Sequence, residues 1–220
     1  MAEEEPVFET TTGPPRIITA ASLFDGHDAA INVMRRLIQS AGAEVIHLGH
    51  DQSAKAVVDC AIQEDAHGVA LTSYQGGHVE YFTYIRQLLD EAGCEHIRIF
   101  GGGGGTITPP EIKTLHESGI SKIYSPDDGR TMGLMGMIHH LMGIASEVDL
   151  IHPDRTASLS GPVTPEDTAK VGLLLTMSES ADDATFKATL DQCRSSTKEV
   201  PVIGFTGTGG AGKSSLLDEL

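Results

Sequence analysis

The order of apolar runs along residues 16–143 constrains this chain more than any other feature. Five β-favouring stretches, RIITAAS (16–22), AEVIHLG (43–49), GVALTSY (68–74), IRIFGG (97–102) and KIYSP (122–126), alternate with helical patterns at 28–42, 53–68, 79–93, 109–119 and 130–143. The first helix shows its period plainly, with Ile31, Met34, Leu37 and Ile38 on one face and Gly42 as its stop. The fourth carries Pro in its first turn, and glycines weaken the fifth. The strands are apolar nearly throughout, as strands are when helices cover both faces of a sheet.

Such β-α units, joined by short right-handed crossovers, predict an α/β fold with an open, doubly wound parallel sheet. The flavodoxin-like order 2-1-3-4-5 is expected, with a ligand outside the carboxyl ends of the strands near the switch point. Strand 1 ends in Asp25-Gly26-His27, strand 3 in Thr72-Ser73-Tyr74-Gln75-Gly76-Gly77-His78, and strand 4 in the run Gly101 to Gly105. Alone, D-x-H reads as a helix N-terminal cap cluster with His27 solvated. Alone, the glycines read as a loop and Thr72 as a buried strand residue. Three unusual loops converging on one sheet edge read as a site.

Composition narrows what that site takes. The net charge is −16, so the chain gains no counterion-release affinity for nucleic acid and is repelled by anionic membranes. The absence of Trp and the 5% aromatic content leave little surface for base stacking. Residues 1–14 read as an acidic, disordered lead with neither a basic nor an apolar signal region, and no apolar run reaches a membrane span. Cys60, Cys94 and Cys193 are widely spaced and lack C-x-x-C, as expected of free thiols in a reducing cytoplasm.

The three strand-end loops resemble the cobalamin-binding domain of adenosylcobalamin-dependent mutases and of methionine synthase. In this chain 41 residues separate Ala30 from Thr72 and 26 separate Tyr74 from Gly101, matching the family's D-x-H-x-x-G, S-x-L and G-G spacing. Ala30 replaces the family's Gly, Thr72 its Ser and Tyr74 its Leu. The resemblance implies that Asp25, Gly26, His27, Thr72, Ser73, Tyr74, Gly101 and Gly102 hold cobalamin, with His27 on cobalt. The chemistry agrees. Cobalt in a corrin takes a neutral imidazole axially, and a carboxylate on the other ring nitrogen fixes the tautomer and raises basicity. Glycines at 101 and 102 would leave a slot open for the nucleotide tail, and the Thr72 hydroxyl would bond its base. His78 would line the lower face of the corrin. His47-x-x-His50 straddles a strand end and lacks partners for a metal.

After Gly143 the pattern changes. Residues 145–167 are rich in Ser, Pro and Asp and read as a linker, and 165–196 as two helices broken near Ser180. A buried-type strand is expected at 200–206. Gly207, Thr208, Gly209, Gly210, Ala211, Gly212, Lys213 and Ser214 then spell G-x-x-x-x-G-K-S, a phosphate-binding loop between strand and helix. Its amides would nest phosphates, Lys213 would reach the β/γ-phosphates, Ser214 would hold Mg²⁺, and Ser215 follows. The expected organisation is a lead at 1–14, a cobalamin domain at 15–145, a helical linker at 146–198 and the truncated start of a P-loop GTPase domain at 199–220.

This order resembles the fused isobutyryl-CoA mutase family, as do DGHDAAINVMRR, SYQGGH, FGGGGGTI and SPDDGR. The resemblance implies an adenosylcobalamin-dependent rearrangement of isobutyryl-CoA to n-butyryl-CoA, fused to a GTPase chaperone that uses GTP and Mg²⁺ to gate cofactor loading. It further implies an acyl-CoA substrate bound by a domain outside this segment, an adenosyltransferase partner, a homodimer, and no catalytic residue within the segment. A mutase of methylmalonyl-CoA or another branched acyl-CoA stays open, as does a corrinoid carrier or sensor.

Overall fold

The computed structural model describes residues 6–193 and 203–218. Its five strands are β1 (Arg16–Ser22), β2 (Glu44–Gln52), β3 (Gly68–Thr72), β4 (Arg98–Gly102) and β5 (Lys122–Tyr124). They form one parallel sheet in the order β2-β1-β3-β4-β5, the expected flavodoxin-like arrangement. The helices between them are α1 (Asp28–Ser40), α2 (Ala54–Gln63), α3 (His78–Glu91), α4 (Pro109–Glu117) and α5 (Pro126–Ser146).

Local chemistry sets the helix starts. The Ser53 hydroxyl accepts the Ala56 N–H and caps α2. Thr108 with Glu111, and Ser125 with Asp128, form capping boxes that start α4 and α5, each followed by Pro. The α5 box explains why that helix begins at Pro126, ahead of the expected 130, and why β5 stops at Tyr124. α5 is broken at Gly133, whose φ of 68° is outside the helical region.

Side-chain alternation along the strands divides the core in two. Ile18, Val69, Leu71, Ile99 and Ile123 face α2, α3 and α4. Ile17, Ala70 and Phe100 face α1 and α5, where Ile38, Ile138, Leu141 and Met142 meet them. Toward the carboxyl end this second face carries Thr72 and Gly102, residues too small to reach the helices.

Of three further expectations, two need correction. Residues 6–13 are not loose, and 1–5 lie outside the described residues. Phe8 packs against the second core and His139, and Thr10 and Gly13 exchange backbone bonds. The Thr10 and Thr12 hydroxyls reach His67 Nε2 at 3.2 and 3.4 Å, so the lead is tied down by polar bonds its composition does not advertise. The segment after α5 holds the two helices expected at 165–196, with the break after Ser180. It forms α6 (Pro153–Thr156), α7 (Thr168–Ser180) and α8 (Asp183–Cys193), with its own apolar cluster of Leu159, Leu173, Met177 and Cys193. Gly172 lets α7 lie against the carbonyls ending α2, and Arg155 pairs with the buried Asp65 at 2.6 Å. Third, residues 203–206 form no strand and are exposed; a buried strand needs neighbours to bond, and among the described residues these have none. Residues 200–202 of that expected strand lie outside the described residues.

A candidate cofactor cleft at the carboxyl edge of the sheet

The loop after β1 is organised by Asp25, which is 1% exposed. Its Oδ1 accepts the backbone N–H of His27 at 2.9 Å and lies 2.8 Å from His27 Nδ1. Its Oδ2 accepts the backbone N–H of Tyr74 at 2.7 Å, which ties the β3 loop to the β1 loop. Burial pushes the Asp25 carboxyl up, but the Tyr74 and His27 N–H groups and the imidazole outweigh it and hold it below its ordinary value. An ionised carboxylate takes its bond from a protonated Nδ1, so in the neutral ring it is Nε2 that carries the lone pair. The His27 side chain is 71% exposed, so that lone pair faces outward. The Tyr74 ring stands 5.5 Å from the imidazole, centroid to centroid.

Beside this pair, a cleft of about 560 Å³ opens between α1, α5 and the ends of β3 and β5. Ala30, Val33, Thr72, Tyr74, Gly104 and Met137 are among its walls. It is apolar with few polar groups, as cofactor clefts are. One of those groups is Thr72 Oγ1, which is buried and has no hydrogen-bond partner among the described residues.

The other expected residues fall in different places. Ser73 turns inward, accepting the Ser22 hydroxyl at 2.9 Å, and its N–H bonds Gly102 O; it braces the cleft without lining it. Gly101 does not clear the slot. Strand alternation sends it to the opposite face, where a Cβ would lie 2.5 Å from the Phe82 ring. Gly102 shares the cleft's face, and Gly104, with φ of 57°, forms its wall next to Tyr74. Gly103, absent from the expected set, is where the β4 loop touches the β3 loop: a Cβ there would lie 1.9 Å from Ser73 O. Only the glycine run itself signalled it. Gly26 is exposed, and a Cβ there meets nothing. His78 is not beneath the cleft; it is buried at the start of α3, with Nδ1 on Gln75 O and Nε2 3.3 Å from Glu111. His47 Nδ1 pairs with Thr19 Oγ1, and among the described residues no three His, Cys, Asp or Glu groups gather as a metal site.

The second motif is described from Ile203 to Asp218. Gly210 and Gly212 each have φ of 78°, which bends the backbone into a loop ahead of α9 (Lys213–Asp218). Lys213 Nζ donates to Gly207 O and Thr208 O at 2.8 and 2.9 Å, so the ammonium already sits over the loop. Gly209 and Ala211 complete the exposed turn, and Ser214 and Ser215 stand exposed in the first turn of α9.

Comparison with known proteins places the chain. A family model described as the B12 binding domain matches residues 15–123. The 2-hydroxyisobutanoyl-CoA mutase small subunit of Aquincola tertiaricarbonis is 34% identical over 115 residues, covering 52% of this chain and 82% of that one. Fused isobutyryl-CoA mutases of Geobacillus kaustophilus and Cupriavidus metallidurans are 50% and 52% identical, each over 93% of this chain. The chain belongs to the B12-binding family, in the branch carried by the fused isobutyryl-CoA mutases. It spans 19% and 18% of the length of those two relatives.

The B12-binding match covers β1 to β4 with their carboxyl-edge loops, ends within β5, and stops short of α5 and the P-loop. Cobalamin is the cofactor of this family, and the residues fit it: an outward imidazole held from behind, an apolar cleft alongside, and a buried hydroxyl in the cleft wall with no partner among the described residues. Among the described residues no helix is long and apolar enough to cross a membrane.

Proposed function

We propose that this chain is the cobalamin-holding part of an adenosylcobalamin-dependent acyl-CoA mutase that converts isobutyryl-CoA to n-butyryl-CoA. The observation that carries the reading is the Asp25–His27 pair at the mouth of the cleft, with Nδ1 engaged and Nε2 outward. His27 Nε2 would ligate the cobalt. Asp25 keeps Nδ1 protonated and the ring oriented, and raises its basicity. The cleft beside it takes the displaced nucleotide tail, with the Thr72 hydroxyl bonding the base, Tyr74 and Gly104 shaping the walls, and Gly102 on the same face of the sheet. Adenosylcobalamin supplies, when bound, the carbon radical that starts the rearrangement. The acyl-CoA pocket belongs to a domain outside this segment, in a homodimeric cytoplasmic enzyme supplied by an adenosyltransferase. Support comes from the two fused relatives and the B12-binding match.

The loop Gly207–Ser214 serves a different reaction, GTP hydrolysis by a chaperone domain. Its amides and Lys213 take the phosphates and Ser214 takes Mg²⁺. In the complete enzyme, Lys213→Ala is expected to abolish GTP hydrolysis while initial acyl-CoA turnover on preloaded enzyme stays at the wild-type rate. Equal loss of initial turnover in Lys213→Ala and His27→Ala would refute this division of labour. For the cofactor site, His27→Ala is expected to shift the absorption of bound cob(II)alamin; an unchanged spectrum would refute His27 ligation.

A further inference from the structure

Phe24 sits in the same short loop as His27 and adopts a backbone conformation that costs an aromatic residue energy, with φ of 62°. Its neighbours impose that conformation. The Phe24 N–H donates to Asp51 Oδ1 at 2.7 Å, and Asp51 is itself at φ of 56°. On one side the Gln75 amide holds Leu23 O, and on the other the Asp25 N–H bonds Ser22 O. The end of β2 and the loops after β1 and β3 therefore cooperate to hold one residue in a left-handed turn. The ring gains no burial in return, being 79% exposed. Glycine would fit this turn without strain, yet the position carries a large apolar side chain. Strain of this kind, held by its surroundings at a ligand edge, points to a role for what it displays.

We propose that the Phe24 ring is an apolar platform for the lower face of the corrin, a positioning residue that seats the macrocycle beside His27; this rests on the cobalamin reading above. A corrin has broad apolar faces with its amides at the rim. A macrocycle ligated through His27 Nε2 spreads past the five-residue loop between β1 and α1, and covers a ring displayed three positions away. Contact with Phe24 then buries the ring and resists tilting about the single axial bond.

The test is a cob(II)alamin titration of the 220-residue chain, comparing wild type with Phe24→Gly and Phe24→Tyr. Glycine removes the ring and relieves the backbone, so the thermal midpoint of the cofactor-free protein is expected to hold or rise. Phe24→Gly is expected to bind about 10–100-fold more weakly, the factor that burial of a Phe side chain supplies. At saturation its electron paramagnetic resonance spectrum retains the histidine-nitrogen splitting, and Phe24→Tyr retains wild-type affinity. Wild-type affinity in Phe24→Gly would overturn the platform, as would a loss of affinity accompanied by an equal loss of cofactor-free stability. If wild type binds no cobalamin, or if His27→Ala leaves the spectrum unchanged, the cobalamin reading falls and takes this inference with it.

Discussion

Asp25 bonds Tyr74 across the sheet: the Tyr74 backbone N–H points at Asp25 Oδ2, 2.7 Å away, while Asp25 Oδ1 serves His27. One carboxylate thereby sets both the ring that faces the ligand and the loop that walls the cleft. Asn in its place sets an NH₂ against an N–H donor whichever way its amide turns, because both carboxylate oxygens accept N–H bonds. Asp25→Asn is expected to lower cob(II)alamin affinity about 10–100-fold, the range for groups that orient a metal-ligating histidine. Equilibrium titration checks this, and wild-type affinity would reduce Asp25 to a loop brace.

Gly103 makes the closest backbone approach in the site. Its φ of −159° suits any residue, so the requirement is purely steric: a Cβ would lie 1.9 Å from Ser73 O. Gly103→Ala must push the β3 and β4 loops apart and is expected to cost about 2–3 kcal/mol or more of folding stability, in the upper range for overpacking. Gly26→Ala, where a Cβ meets nothing, is expected to leave stability within about 0.5 kcal/mol. Urea unfolding of the two variants gives the comparison.

Two histidines at the opposite edge of the sheet set a pH dependence. Burial, with Arg16 and Arg155 nearby, pushes His67 down to about 4; burial, with Arg155 and His67 among its neighbours, pushes His96 down to about 3. Each ring is neutral in the folded protein, while the unfolded chain takes up protons below its ordinary value of about 6.5. Stability therefore rises with pH between about 4 and 6.5. At pH 5 the two rings together are expected to remove a few kcal/mol relative to pH 8, because a tenfold difference in proton affinity between the folded and unfolded chain is worth about 1.4 kcal/mol. His67→Gln is expected to flatten that slope. Thermal midpoints measured from pH 8 to pH 5 check it.

The sheet order was legible because the strands are apolar on both faces and the helices carry clear periods. The histidine pair was legible because D-x-H sits at a strand end. Strand parity was the harder matter. G-G at 101–102 does not say which glycine faces the cleft, and alternation from Phe100 puts Gly102 there and Gly101 under Phe82. Nor does sequence order show that Arg155 reaches back 90 residues to Asp65, because a buried ion pair leaves no periodic trace. The same holds for Thr10 at His67. Phe24 was passed over because its φ is set by Asp51, on a different strand.

His27 of this chain, rather than the cofactor's own base, is the group proposed to bond cobalt, and everything else at the site follows from that bond. Electron paramagnetic resonance of cob(II)alamin bound to the chain, prepared once with ordinary nitrogen and once with the heavy isotope throughout the protein, measures it directly. The ligand nitrogen splits each cobalt line into three when ordinary and into two when heavy. With His27 on cobalt, the triplets become doublets on labelling the protein. Triplets that persist in the labelled protein would mean that the cofactor's base still holds the cobalt, and would contradict the assignment.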